Sequence, residues 1–286
     1  MGVSDMVGVV DVGGGMRAVY GAGVFDYCLD RGIRFDYGIG VSAGGANIIS
    51  YLAGQRGRNY RFYTEYSLRK EYMGVGRFLK TGNYIDLDYI YGTLTNSDGE
   101  DPLDYDAVMN SDIDMCIVAT DAESGEAVYY AKKDYKRDDY GMIKGSCCVP
   151  IADRPYRYRG RLLYDGGLSD PIPLEKALAE GCDRVVVILT RPRDYAERET
   201  LISFLIRKKY PKAAKGLSMR AKRYNAQLAL CKRYESEGRV LIVAPDDIGR
   251  VRMLSKNRNA GKYLYEKGYR DAEAISRFLK RGRGRK

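Results

Sequence analysis

The sequence predicts an α/β protein: a mostly parallel central sheet flanked by helices in three layers, followed by a helical, basic C-terminal extension. Three observations carry this. Apolar runs at residues 7–12 and 35–41 each lead into a glycine-bearing turn and then a segment with helical spacing. Further strand-length apolar runs follow at 115–120 and 184–189, and basic residues crowd the last third. The 286 residues are 45% apolar and 30% charged, which suits one large globular domain or one domain with an appendage. No apolar run approaches the roughly 18 residues of a spanning helix.

In chain order, residues 7–12 read as a buried strand broken by Gly13, Gly14 and Gly15. Val19, Ala22, Phe25, Cys28 and Leu29 then recur at helical spacing over 17–30, with Gly32 just past the end as a stop. The second strand, 35–41, runs into Ser42-Ala43-Gly44-Gly45 and a helix through Ala46, Ile48, Ile49 and Leu52. The Tyr- and Gly-rich stretch 56–105 reads either as a lid or covering segment over the sheet edge or, equally, as an ordinary helical insertion with no gating role. Strands are expected at 115–120, 127–131 and 161–164, the last ending in Asp165-Gly166-Gly167. Asp170-Pro171 reads as the cap and first residue of a helix to about residue 180. Residues 184–189 form the clearest buried strand. Beyond it, 197–234 reads as helical and very basic, 240–244 as one more strand, and 271–280 as an amphipathic helix presenting Ala274, Ile275, Phe278 and Leu279. The basic tail 281–286 reads as mobile. The expected division is a catalytic domain over 1–195 and a mainly helical extension over 196–286.

The chain contains no histidine. That excludes Ser-His-Asp and Cys-His catalysis and every His-ligated metal site. The six cysteines are dispersed without a CxxC, so reduced thiols are expected rather than a disulfide framework. Neither Asp101, Asp104 and Asp106 nor Asp112 and Asp114 have calcium-loop spacing. No metal and no cofactor are therefore expected. The N-terminus lacks a basic start followed by a long apolar block, and Met6 stands where an acylation signal needs Ser or Thr, so a cytoplasmic, unacylated protein is expected.

Three short motifs carry the chemistry. Gly40-Val41-Ser42-Ala43-Gly44 is a G-x-S-x-G between a strand and a helix, a context in which the serine projects from a sharp, strained turn. Gly13-Gly14-Gly15-Met16-Arg17-Ala18 joins the first strand to the first helix, with amides free to face a negative group. Such a loop serves as an oxyanion hole or as a dinucleotide fingerprint. The fingerprint needs an acid at the end of the second strand, where Ser42 stands; Asp36 lies near that strand's start. The third motif, Asp165-Gly166-Gly167, is an ordinary turn in isolation. It gains meaning because a serine nucleophile needs a proton acceptor and histidine is absent. A sheltered carboxylate, its pKa raised by burial, meets that need.

Together these motifs, in this order, resemble the patatin-like phospholipases, whose pattern is G-G-G-x-[RK]-G, then G-x-S-x-G, then D-G-[GA]. The likeness covers roughly residues 6–190, including 146–150 ahead of the D-G-G. Two positions depart: Val12 stands where an acid often precedes the glycines, with Asp11 one place earlier, and Ala18 replaces the glycine after the basic residue. The resemblance implies a Ser42–Asp165 dyad, an oxyanion hole from Gly14 and Gly15 with Met16, and an Arg17 that fixes the loop or biases its field. It implies a lipid acyl hydrolase acting on phospholipids or lysophospholipids. A carboxylesterase or acyltransferase on other esters, and an inactive lipid-binding protein on the same fold, are the alternatives.

The net charge is +10. Arg207, Lys208, Lys209, Lys212, Lys215, Arg220, Lys222 and Arg223 concentrate it in the last third, a surface suited to peripheral contact with anionic membrane. No nucleic-acid motif accompanies it, and none is expected as a partner.

Overall fold

A computed structural model describes residues 5–283. In chain order the elements are β1 (Val7–Asp11), α1 (Val19–Asp30), β2 (Tyr37–Val41), α2 (Ala43–Leu52), α3 (Arg58–Thr64), α4 (Val75–Thr81), α5 (Tyr105–Asn110), β3 (Asp114–Asp121), β4 (Ala127–Ala131), α6 (Gly141–Ser146), β5 (Tyr156–Tyr158), β6 (Arg161–Asp165), α7 (Leu174–Ala179), β7 (Arg184–Ile188), α8 (Phe204–Arg207), α9 (Pro211–Ser236), β8 (Val240–Val243), α10 (Arg258–Asp271) and α11 (Glu273–Arg283). The expectation of an unacylated N-terminus falls on residues 1–4, and the end of the basic tail on 284–286; both lie outside the described residues.

The architecture is a three-layer α/β/α sandwich. β1 pairs in parallel with β2 and β7, β2 with β3, and β7 with β8. β4 and β6 run antiparallel to β3, and β5 antiparallel to β6. β1 and β2 are buried along their whole length, which is why they read as continuous apolar runs rather than alternating ones. Alternate side chains serve the two faces. Val9, Ile117 and Ile188 join the core beneath α1, α2 and α6. Val10, Ile39, Val118 and Val187 face Leu174 and Ala177 of α7 and Leu228 and Cys231 of α9.

β3 has an unusual division of its edges. Val41 of β2 pairs with Val118, and Asp165 of β6 pairs with Ala119, the next residue of β3. β4 occupies the opposite edge, pairing with Cys116 through Thr120. β2 and β6 therefore share one edge of β3 end to end, and their ends meet between Val118 and Ala119.

The C-terminal third packs on both helical layers. α9 covers one face and β8 lengthens the sheet beside β7. α10 crosses α1 so closely that a Cβ on Gly268 would strike the Tyr20 carbonyl oxygen, and one on Gly23 the Tyr265 carbonyl oxygen. Four expectations are corrected here. The second strand begins at Tyr37, because the Asp36 carboxylate turns back to accept the Val7 N–H at 2.6 Å. Asp170 caps no helix: its carboxylate accepts the Tyr129 hydroxyl (2.7 Å) and the Gln227 amide (2.6 Å), and α7 begins at Leu174. The basic helix divides into α8 and α9, and Glu197 is instead held in a loop by Asn225 through two backbone hydrogen bonds. The last amphipathic helix starts at Glu273 and continues into the expected tail as far as Arg283, preceded by the unanticipated α10.

The helix crossing generates a contrast between two glycines. Gly268→Val places atoms where backbone already sits and should lower stability by about 1–3 kcal/mol or more. Gly76 in α4 faces open space and has ordinary helical geometry, so Gly76→Ala should leave stability unchanged or raise it by up to about 1 kcal/mol. Denaturant midpoints of the two variants check the pair.

Candidate active site

Ser42 forms the single-residue turn between β2 and α2, at φ 56° and ψ −134°. A non-glycine residue there costs on the order of 1–3 kcal/mol and persists only if its surroundings hold it. The flanking glycines permit the turn: a Cβ on Gly40 would strike the Gly45 backbone, and one on Gly44 the Asp11 backbone. Ser146 provides the hold. Its Oγ accepts the Ser42 N–H at 2.8 Å and donates to the Val118 carbonyl at 2.5 Å. The elbow is thus tied to β3 at the point where β6 arrives.

Asp165 ends β6 and opens the turn through Gly166 and Gly167, accepting the Gly167 N–H at 2.8 Å. The same β3 junction that receives Val41 receives Asp165, so the serine and the carboxylate face each other. The Ser42 hydroxyl lies close to the Asp165 carboxylate, with which it lines the wider cavity, and to the Cys147 thiol, with which it lines the narrower one. Burial raises the Asp165 pKa above the ordinary carboxylate value, opposed by the Ser42 hydroxyl, the Gly167 N–H and the charge of Arg220. Burial likewise pushes the Cys147 thiol up to about 12, leaving it protonated and unreactive.

The glycine loop is pinned from below. Gly13, Gly14 and Gly15 all have positive φ (65°, 116° and 60°). Asp11, fully buried, accepts the Gly13 N–H (2.9 Å) and the Asn47 side-chain amide (2.8 Å), while Thr190 donates to the Gly13 carbonyl. Asp36 lies at the other end of β2, occupied with Val7, so the loop lacks the acid a dinucleotide would require. The Gly14 and Gly15 amides have no protein acceptor among the described residues and both glycines line the cavity over Ser42. Met16, expected to add a third amide, is corrected: its N–H goes to the Met253 carbonyl at 2.9 Å. Arg17 is nine-tenths buried and forms no ion pair among the described residues. Burial, then Arg191 and Arg220, push its pKa down to about 10.

Two cavities meet at Ser42. The wider, about 340 Å³, is lined by Gly14, Gly15, Asp165 and a set of arginines. The narrower, about 60 Å³, is walled by Phe62, Tyr63, Tyr72, Met73, Leu87 and Ile90. The stretch read as a lid therefore forms the wall of an apolar pocket. Among the described residues no group of three or more His, Cys, Asp or Glu side chains is placed to hold a metal, and no helix is long and apolar enough to cross a membrane.

Residues 12–178 match the family model for patatin-like phospholipase. The chain is a member of the patatin-like phospholipase family. The family is one of lipid acyl hydrolases, and the glycine loop, the Ser42 elbow and the Asp165 turn all fall inside the matched span. Residues 210–281 match a second model, a domain of unknown function (DUF6363). Uncharacterized protein YjjU of Escherichia coli strain K12 is 28% identical over 201 residues, 65% of this chain and 52% of its own length, so the chain spans about half of that curated relative. The solved structure of VipD from Legionella pneumophila is similar in fold, with a TM-score of 0.50 at 14% identity, covering 96% of this chain and 67% of that one.

Sequence reasoning reached Ser42, Asp165 and the glycines but not the residues that hold them. Ser146 falls in the 146–150 segment counted in the resemblance but without this role, and Asn47 and Thr190 carry no local pattern; their partners across the sheet reveal all three. Asp11 was visible as an acid one place early, and its work is to fasten the loop.

Asp11 also makes a pH prediction. Burial raises its pKa from 3.8 to about 6. The folded state therefore holds its proton longer than the unfolded chain. The resulting stabilisation is present below about pH 4 and is lost as pH rises through about 6. Between those values wild type should lose roughly 1–3 kcal/mol more unfolding free energy than Asp11→Asn, measured by denaturant titration at several pH values.

Proposed function

We propose that the protein is a serine hydrolase that cleaves the carboxylic esters of phospholipids or lysophospholipids, with Ser42 as nucleophile and Asp165 as general base. The observation that carries this reading is the Ser42 hydroxyl set beside a buried carboxylate in a chain without histidine. Asp165 takes the hydroxyl proton as Ser42 Oγ bonds to the ester carbonyl carbon. The carbonyl oxygen becomes an oxyanion, held by the free amides of Gly14 and Gly15. Collapse expels the alcohol, which receives the proton from Asp165 and leaves an acyl-Ser42 ester. Water then attacks with Asp165 again as base, releasing the fatty acid and restoring both groups. The acyl chain belongs in the apolar cavity walled by residues of the 56–105 stretch, and the alcohol portion in the wider one. The raised Asp165 pKa makes it a stronger proton acceptor than a free aspartate.

The same reading includes an approach to lipid. Leu201, Ile202, Phe204 and Leu205 are exposed, Leu201 by 88% and Phe204 by 63%. They precede the exposed Arg207, Lys208, Lys209, Lys212 and Lys215, and Thr200 and Ile202 border the wider cavity. Apolar side chains beside a basic surface suit insertion into an anionic bilayer. Docking there would bring the wider cavity to the membrane.

A fluorophosphonate probe read by intact mass tests the chemistry. Wild type should gain one adduct, Ser42→Ala none, and Asp165→Asn should label at least about 100-fold more slowly. A folded wild type that takes no adduct would favour a lipid-binding protein on this fold. For the docking surface, the paired change Phe204→Glu and Leu205→Glu should weaken cosedimentation with phosphatidylglycerol vesicles at least about tenfold, since each lost insertion removes on the order of 1.5–3 kcal/mol. Unchanged cosedimentation would place the contact elsewhere.

A further inference from the structure

The wider cavity holds more positive charge than acyl transfer requires. Arg17, Arg191 and Arg220 all line it. Arg17 is nine-tenths buried with its Nε unpartnered, and the Nε of Arg191 is also buried without a partner. Arg220 is paired with Glu197 at 2.6 Å, and Glu197 additionally accepts the Tyr195 hydroxyl at 3.0 Å. Arg191 lies over the Tyr195 ring at 4.6 Å. Asp165, the other acid of this cavity, accepts the Gly167 N–H and is flanked by the Ser42 hydroxyl. Three sheltered guanidiniums, with the exposed Arg198 beside them, thus line one open space whose carboxylates are Glu197 and Asp165.

Sheltered like charges of this kind repel, and unpartnered buried donors cost free energy; an anion removes both penalties. The repulsion is visible in Arg17, whose pKa is depressed by Arg191 and Arg220 in addition to burial. A carboxylate offers two oxygens to one planar fork. A phosphoryl group offers three or four, spread in space, and suits several guanidiniums arriving from different directions.

The geometry points to a phosphoryl-binding site in which Arg17, Arg191 and Arg220 hold the oxygens of a phosphate ester beside Ser42. Two of its three arginines lie outside the span matched by the patatin-like model, and Arg220 lies inside the domain of unknown function. The C-terminal region therefore supplies the recognition and the N-terminal region the chemistry. The phosphoryl group has two possible sources, the headgroup of a bound substrate or free phosphate. The first source rests on the hydrolase reading above; the site itself does not.

Two arms separate these. In the binding arm, inorganic phosphate and glycerol 3-phosphate are titrated by calorimetry into full-length Ser42→Ala protein, where no turnover occurs. Saturable binding is expected, absent for chloride at equal ionic strength, and at least tenfold weaker in Ser42→Ala carrying Arg191→Gln or Arg220→Gln. Thermal melts verify that each variant is folded, and Arg191 is the safer of the two because Arg220 is ion-paired with Glu197. In the activity arm, kcat/KM is compared for lysophosphatidic acid and a monoacylglycerol of the same chain length. A preference for the phosphate-bearing ester that falls at least tenfold in Arg191→Gln identifies the headgroup as the source. Phosphate binding with a ratio that Arg191→Gln leaves alone identifies free phosphate, and the site stands. Phosphate binding in a protein that turns over neither ester retains the site and removes the hydrolase reading. A folded protein that binds no phosphate and shows no preference between the two esters overturns the proposal.

Discussion

β2 and β6 compete for the same edge of β3, and neither can grow without displacing the other. That steric limit on strand length brings Ser42 and Asp165 together. Val118 ends its pairing with one strand and Ala119 begins it with the other, so two residues 123 positions apart in the chain meet across a single peptide unit of β3. The meeting of Ser42 with Asp165 needs no loop to fold over and complete it. Both partners terminate strands that the core already immobilises, and rigid strands hold side-chain positions better than loops do. Ser146 reinforces the junction by bonding the Ser42 amide and the Val118 carbonyl with one hydroxyl.

The strain stored at Ser42 is compatible with this arrangement because every neighbouring backbone group is accounted for. Its amide is taken by Ser146, and the loop facing it is fastened through Asp11, Asn47 and Thr190. The Gly14 and Gly15 amides have no protein acceptor among the described residues, and both glycines line the cavity over Ser42. Around this centre the environment is deliberately unequal. One side is a narrow apolar space bounded by aromatic and aliphatic side chains, the other a wider space bordered by arginines. An ester with one greasy and one charged end could enter such a junction in one orientation only.

The parts of this site that were legible in the sequence are those whose physical cause is local. Gly40 and Gly44 are needed because the chain itself turns within a residue or two, and the pattern G-x-S-x-G records that need. The same holds for Gly13 to Gly15. Where a cause acts across the fold, local reading went astray. Asp170 followed by Pro171 imitates a helix cap, yet Tyr129 and Gln227 claim its carboxylate. α10 escaped notice because much of its contact with α1 is made by glycine and backbone: Gly268 packs on the Tyr20 carbonyl, and Leu264 is the one apolar side chain longer than glycine that the helix fully buries. Met16 looked like a third oxyanion donor because Met253, its acceptor, is 237 residues away.

That bond between Met16 and Met253 has a consequence for how such a protein changes over time. It joins the matched patatin-like span to a loop that precedes α10, within the region covered by the second family model. The acceptor is a main-chain carbonyl, so this bond constrains the course of the chain past Gly15 rather than the side chain at 253. A reading of residue identities alone registers Ser42 and its glycines and passes over this dependence. The two regions depend on one another through where a stretch of backbone lies, a requirement that leaves no signature letter in the sequence.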